Sequence, residues 1–185
     1  MNKSITSVGL DLSLTGTGMV ILRDGNLISK NLIKSKPSGD KPIDELNRIK
    51  KIVYEIRSHL TGTFIDIAVI ENLAFGVKNA TSLTQLAALN YFTRELLAYD
   101  SGLGYHVPFI LVAPTSLKKF ITGSGIAKKD VMMMETYKRY GVTLLNDNEC
   151  DAYGLAQIGL ALLDGNSKQT TKLQEEVINL LKKQL

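Results

Sequence analysis

Three carboxylates of this chain sit at the ends of apolar segments, which restricts the folds open to it. Asp11 ends Ile5-Thr6-Ser7-Val8-Gly9-Leu10, and Glu71 ends Phe64-Ile65-Asp66-Ile67-Ala68-Val69-Ile70. Asp151 heads the apolar, small-residue segment Ala152-Tyr153-Gly154-Leu155-Ala156-Gln157-Ile158-Gly159. An isolated ionised carboxylate in an apolar setting is costly unless a partner or a metal compensates it. Three such acids, far apart in sequence but all at element ends, point to one metal-binding site assembled by the fold.

The periodicity says how the ends could meet. Val8–Asp11 and Gly18–Leu22 read as strands around the turn-rich Ser13-Leu14-Thr15-Gly16-Thr17, and Asp24-Gly25 is a hairpin turn signal, so Leu27–Ile33 pairs back antiparallel. Lys34 to Pro42 is a polar loop. Ile43, Leu46, Ile49, Ile52, Val53 and Ile56 recur at helical spacing, and Phe64–Ile70 follows as a continuous apolar strand of the buried, parallel type. A helix over Ala80–Tyr99, a short strand Pro108–Val112, a short helix from Thr115, a helix Lys128–Tyr140 stopped by Gly141, and a core helix Asn148–Leu163 complete the order. Three strands in a meander, then strands alternating with helices, imply a mixed α/β sheet flanked by helices on both faces. Residues 166–185 read as an appended amphipathic helix with Leu173, Val177, Leu180 and Leu181 in one stripe, beyond a main domain of residues 1–165.

At 185 residues the chain suits one well-cored domain, and 44% hydrophobic with 22% charged residues fits a globular protein. A single cysteine, Cys150, rules out an intramolecular disulfide and fits a reducing compartment; with only His59 and His106 beside it, a structural zinc site is disfavoured. The N-terminus lacks a signal-like core, and no apolar run nears the ~20 residues of a membrane span, so the expected location is the cytoplasm, with no membrane partner. The net charge of +4 is concentrated. From Phe109 to Tyr140, Lys118, Lys119, Lys128, Lys129, Lys138 and Arg139 stand against Asp130 and Glu135: six minus two equals the whole excess. Such a stretch is either a solvated helix face or a phosphate-contacting patch.

Four motifs in order resemble those of RuvC-type Holliday-junction resolvases, within the RNase H-like nucleases. Gly9-Leu10-Asp11-Leu12-Ser13-Leu14-Thr15-Gly16-Thr17-Gly18 resembles that family's first-strand motif, and Ile70-Glu71-Asn72 its fourth-strand acid. Pro114-Thr115-Ser116-Leu117-Lys118-Lys119 with Thr122-Gly123-Ser124-Gly125-Ile126-Ala127-Lys128-Lys129 resembles its basic stretch, and Asp147-Asn148-Glu149-Cys150-Asp151-Ala152 its C-terminal acid pair. The resemblance implies an RNase H-like fold with a five-stranded mixed sheet. It also implies a homodimer that nicks four-way DNA junctions in symmetric pairs, leaving a 5′-phosphate and a 3′-hydroxyl. Two Mg²⁺ ions per site, replaceable by Mn²⁺, would be held by Asp11, Glu71 and Asp151. Lys118 and Lys129 match lysines that contribute to junction binding or catalysis in the family, and Lys119 and Lys128 flank them.

The chain departs from the family at Asn148, where an aspartate or histidine is usual. Spacings of three and four put both Asn148 and Asp147 on the helix face of Asp151, so either Asn148 offers a carbonyl oxygen or Asp147 substitutes. Phe75, just past Glu71, is either a base-stacking aromatic or a core residue. Two other readings stay open at this point. Asn148 is compatible with a junction-binding module of impaired nuclease activity. The Asp11–Gly18 segment also resembles the first phosphate loop of actin-like ATPases and sugar kinases, although those proteins normally duplicate the domain.

Overall fold

Val8 and Leu10 alternate with Ser7, Gly9 and Asp11 along the first strand, and this alternation assigns each residue to one of two helical layers. The computed structural model of the protein describes residues 4–73, 80–99, 103–164 and 171–185. Strands β1 (Thr6–Asp11), β2 (Gly16–Arg23) and β3 (Asn26–Lys34) form the antiparallel meander; β4 (Ile67–Glu71) and β5 (Phe109–Val112) join parallel, in the order β3-β2-β1-β4-β5. The β2–β3 turn has Asp24 at φ 51° and Gly25 at φ 83°, the double positive φ of a type I′ hairpin. This is the five-stranded mixed sheet of the RNase H-like fold.

Helices α1 (Pro42–Leu60) and α2 (Ala80–Tyr99) cover one face. Ile49, Ile52 and Ile56 of α1 and Leu89, Leu96 and Leu97 of α2 meet Val8, Leu10, Met19, Ile21, Ala68 and Ile70 there. Helices α3 (Pro114–Thr122), α4 (Lys129–Tyr140), α5 (Asp147–Asp164) and α6 (Lys172–Leu181) cover the other face, around Val20, Leu22, Ile67, Val69, Ile110 and Val112. Among the described residues no helix is long and apolar enough to cross a membrane.

Two expectations need correcting. The fourth strand starts at Ile67 rather than Phe64. The Asp66 carboxylate accepts from the Thr6 N–H at 2.9 Å, and the Tyr105 hydroxyl accepts from Ile65 N–H and donates to the Thr63 carbonyl, both at 2.8 Å. The Asp66 N–H still donates to the Thr6 carbonyl at 2.9 Å, but no backbone pairing of β1 with Phe64 or Ile65 follows, and Phe64 stays exposed, stacked on Tyr105. In α6 the buried stripe is Gln174, Val177, Ile178 and Leu181, while Leu173 and Leu180 face solvent. Packing of Val177, Ile178 and Leu181 into the core sets this face, and a reciprocal cap fixes the helix start: Gln174 N–H donates to Thr171 Oγ1, and Thr171 N–H donates to Gln174 Oε1. Just beyond α6, Gln184 pairs with both backbone groups of Leu111, closing the outer edge of β5.

The sheet and α5 approach unusually closely. A Cβ on Gly9 would lie 1.9 Å from the Ala152 carbonyl oxygen, and one on Gly18 would lie 2.1 Å from that of Asn148. Both obstacles are backbone, so neither can swing aside. Gly9→Ala should therefore lower the urea unfolding free energy by at least about 1–3 kcal/mol, the usual cost of overpacking. An unchanged denaturation midpoint would contradict the contact.

Candidate active site

The register brings the acids to one edge of the sheet. Leu10 of β1 pairs with Ile70 of β4, so Asp11 and Glu71 leave neighbouring parallel strands side by side. Asp11 lies on the Ser7–Gly9 side of β1, the side against which α5 packs, and is only 8% exposed. The glycine contacts fix the first turns of α5 over β1 and β2, which carries Asp151 in from above. The fold thus gathers Asp11, Glu71 and Asp151 from β1, β4 and α5.

Their electrostatics record the crowding. Burial, reinforced by the Asp147 charge, raises the Asp11 carboxyl to about 6, against the opposing effects of its hydrogen bond with Glu71 and of Lys129. Burial and then the Asp11 and Asp151 charges push Glu71 to about 8, opposed by Lys118. Burial and then the Asp11 and Asp147 charges raise Asp151 to about 7, opposed by Lys129 and Lys118. At neutral pH the Asp11–Glu71 pair holds a shared proton, because two buried carboxylates this close cannot both ionise without a cation.

The other expected residues divide. Lys118 on α3 and Lys129 at the start of α4 both act on the acids. Lys129 also forms an ion pair with Asp147 and holds that carboxyl below its ordinary range. Asp147 is therefore already neutralised by a lysine. Asn148 donates its amide N–H to the Gly16 carbonyl at 2.7 Å, which leaves its own oxygen as the acceptor it can offer. Lys119 is paired with Glu176 of α6 at 2.6 Å. Lys128 immediately precedes α4 and has no ion pair among the described residues. Phe75 lies outside the described residues.

Sequence reasoning missed the brace on the loop after Asp11. Thr17 Oγ1 donates to the Ser13 carbonyl and accepts from Ser13 N–H, and Arg48 Nη2 and Ser35 Oγ both donate to the Leu14 carbonyl at 2.6 Å. The Ser13/Thr17 spacing is a readable local signal. Arg48, 34 residues from Leu14 and one of many cations on α1, has none.

With this geometry in view, the comparisons with known proteins can be weighed. No family model matches the chain. A crossover junction endodeoxyribonuclease RuvC from Oleidesulfovibrio alaskensis is 32% identical over 143 residues, covering 76% of this chain and 80% of that protein. The chain belongs to the RuvC family. Two solved structures agree on the fold. Thermus thermophilus RuvC in complex with a Holliday junction substrate superposes at a TM-score of 0.65 with 14% identity, covering 82% of this chain and 90% of that one. Thermus thermophilus RuvC alone gives 0.63 with 17% identity, over 86% and 97%.

The donor set of this RuvC-family chain is all oxygen, three carboxyls with a carboxamide beside them, which suits a hard divalent cation. Among the described residues no three acidic, histidine or cysteine side chains already converge as a finished cage. Without a cation the carboxylates repel one another.

The shifts have a measurable consequence. Asp11, Glu71 and Asp151 all lie above their ordinary values of 3.8 and 4.5, so their ionisation opposes folding. Their contribution to stability is full below the ordinary values and is lost as pH rises through about 6 to 8. In chelator, the thermal midpoint should fall between about pH 5 and pH 9, and Asp11→Asn/Glu71→Gln/Asp151→Asn should flatten that decline. An equal slope in the variant would show that the three acids are not its source.

Proposed function

We propose that this RuvC-family chain is a metal-dependent endodeoxyribonuclease that resolves four-way DNA junctions. The observation that carries the reading is the meeting of Asp11, Glu71 and Asp151 at one sheet edge, their proton affinities raised first by burial and then by neighbouring carboxylates, with Lys118 and Lys129 beside them. The similarity to a crossover junction endodeoxyribonuclease supports the substrate class.

Asp11, Glu71 and Asp151 would hold Mg²⁺, with Mn²⁺ able to replace it, and the Asn148 carboxamide oxygen would be a neutral fourth donor. Two such ions supply an activated water on one side of the phosphodiester and charge stabilisation for the leaving oxygen on the other. The remaining work falls to the chain. The Asp11–Glu71 pair gives up its shared proton when the site fills, and burial keeps competing solvent from the carboxyls. Lys118 and Lys128 offer positive charge along the strand entering the site, and Lys129 can do so only by leaving Asp147. Lys119 can contribute only by leaving Glu176, and Phe75 remains a candidate for base stacking. Hydrolysis in this sense leaves a 5′-phosphate and a 3′-hydroxyl. A homodimer would present two identical sites to a nearly two-fold junction, giving paired symmetric nicks.

Asp147 is assigned no ligand role, because Lys129 already neutralises it. The reading as a binding module with impaired nuclease activity would replace this one if the protein bound junctions in Mg²⁺ and Mn²⁺ without cutting them. An actin- or sugar-kinase-like role does not account for the pairing of Glu71 with Asp11.

The test is cleavage of synthetic four-way junction, flap and duplex DNA, with and without Mg²⁺. Asp11→Asn should slow junction cleavage by at least about a thousandfold, the several kcal/mol of charge stabilisation a metal supplies, while junction binding persists. Cleavage retained by Asp11→Asn would remove Asp11 from the chemistry. Asp147→Ala should cleave with the wild-type Mg²⁺ dependence; a raised Mg²⁺ requirement would make Asp147 a ligand.

A further inference from the structure

A second cluster of cations stands at the same edge of the sheet, on the layer opposite α3 and α4. The β2–β3 register pairs Gly16 with Lys34, so β3 ends where the loop after Asp11 turns back. Lys34 is thus two strand spacings, about 10 Å, across the sheet from β1. Beyond it the chain crosses in front of α1, leaving a groove of about 470 Å³. Lys34, Lys36, Arg48 and Lys51 line it together with Ser35 and Asn47, and no acid does.

The state of these cations is informative. Lys34, Lys36 and Lys51 are all exposed, and among the described residues none of them has an ion pair. Nothing in the fold requires them. Arg48 differs: its Nε donates to Ser35 Oγ at 2.9 Å and its Nη2 to the Leu14 carbonyl. The floor of the groove is therefore hydrogen-bonded to the loop that follows Asp11. Unpaired lysines around an acid-free groove repel one another and attract a polyanion, and like-charge clustering of this kind costs stability unless a ligand uses it.

We propose that this groove is a second phosphate-binding surface, which takes the sugar–phosphate backbone of a DNA arm as it leaves the acidic site on the side away from α3 and α4. The inference rests on the nuclease reading above for its choice of polyanion. DNA would then be held on both sides of the carboxyls, by Lys118, Lys128 and Lys129 on one layer and by Lys34, Lys36 and Lys51 on the other.

The test compares K34A/K36A/K51A with the wild-type protein and with K172A/K182A/K183A. The control removes the same charge from α6 and the turn that follows it, in which Gln184 caps the β5 edge of the sheet, the edge opposite β3. Binding of a four-way junction is measured across a salt series, with Mg²⁺ replaced by chelator. If each lysine neutralises one phosphate, K34A/K36A/K51A should flatten the slope of log affinity against log salt by about 2–3, while the control keeps the wild-type slope. Equal slopes in all three proteins would overturn the groove, and so would equal flattening in the two variants, which would reduce the effect to net charge. A wild-type protein that neither binds nor cuts branched DNA would overturn the nuclease reading itself, a result separable from failure of the groove alone.

Discussion

Everything in the candidate site depends on how closely α5 lies over β1 and β2. The helix backbone occupies the space that side chains at positions 9 and 18 would need, so two glycines admit it and any other residue would lift it. This contact decides where Asn148 and Asp151 stand relative to Asp11. It is also rigid, because the approaching atoms are main-chain carbonyls rather than side-chain tips. A site assembled from β1, β4 and α5 is only as well defined as the distance between those elements, and here close packing sets it.

That rigidity makes the electrostatic strain of the site possible. Three carboxyls are held together without enough charge to balance them, and the fold accepts this only because Lys118 and Lys129 offset part of the repulsion and a shared proton offsets more. Cost at a functional edge and consistency elsewhere are what a folded enzyme is expected to show. The Asp147–Lys129 ion pair belongs to the same balance: Lys129 opposes the rise at Asp11 and Asp151, to which the Asp147 charge adds. The basic groove beside β3 repeats the logic with opposite sign, since its lysines are left unpaired where pairing would have been more stable.

Much of this was legible in the sequence. Asp24-Gly25 named its own hairpin, helical spacing marked α1 and α2, and Gly141 ended α4 in the left-handed conformation expected of it, at φ 68°. The misreadings have local physical causes. Phe64 and Ile65 look like strand, but the Tyr105 hydroxyl bridges the Ile65 N–H and the Thr63 carbonyl, and pairing with β1 begins only at Asp66. In α6 several apolar stripes were available, and contact with the core buried Val177, Ile178 and Leu181. Lys119 reads as part of a basic run, yet its partner Glu176 lies 57 residues away on another helix.

The sequence by itself determined the elements, their order, and the three carboxylates at their ends, because periodicity, turn chemistry and the cost of a buried charge all act locally. Only the tertiary structure decided which atoms those carboxylates face. It tied the Asn148 amide to Gly16, Asp147 to Lys129 and Arg48 to Leu14, and it left Lys34, Lys36 and Lys51 without an ion pair among the described residues, around the groove beside β3. Each of these outcomes joins residues brought together by sheet register and helix docking, distances that no local pattern encodes.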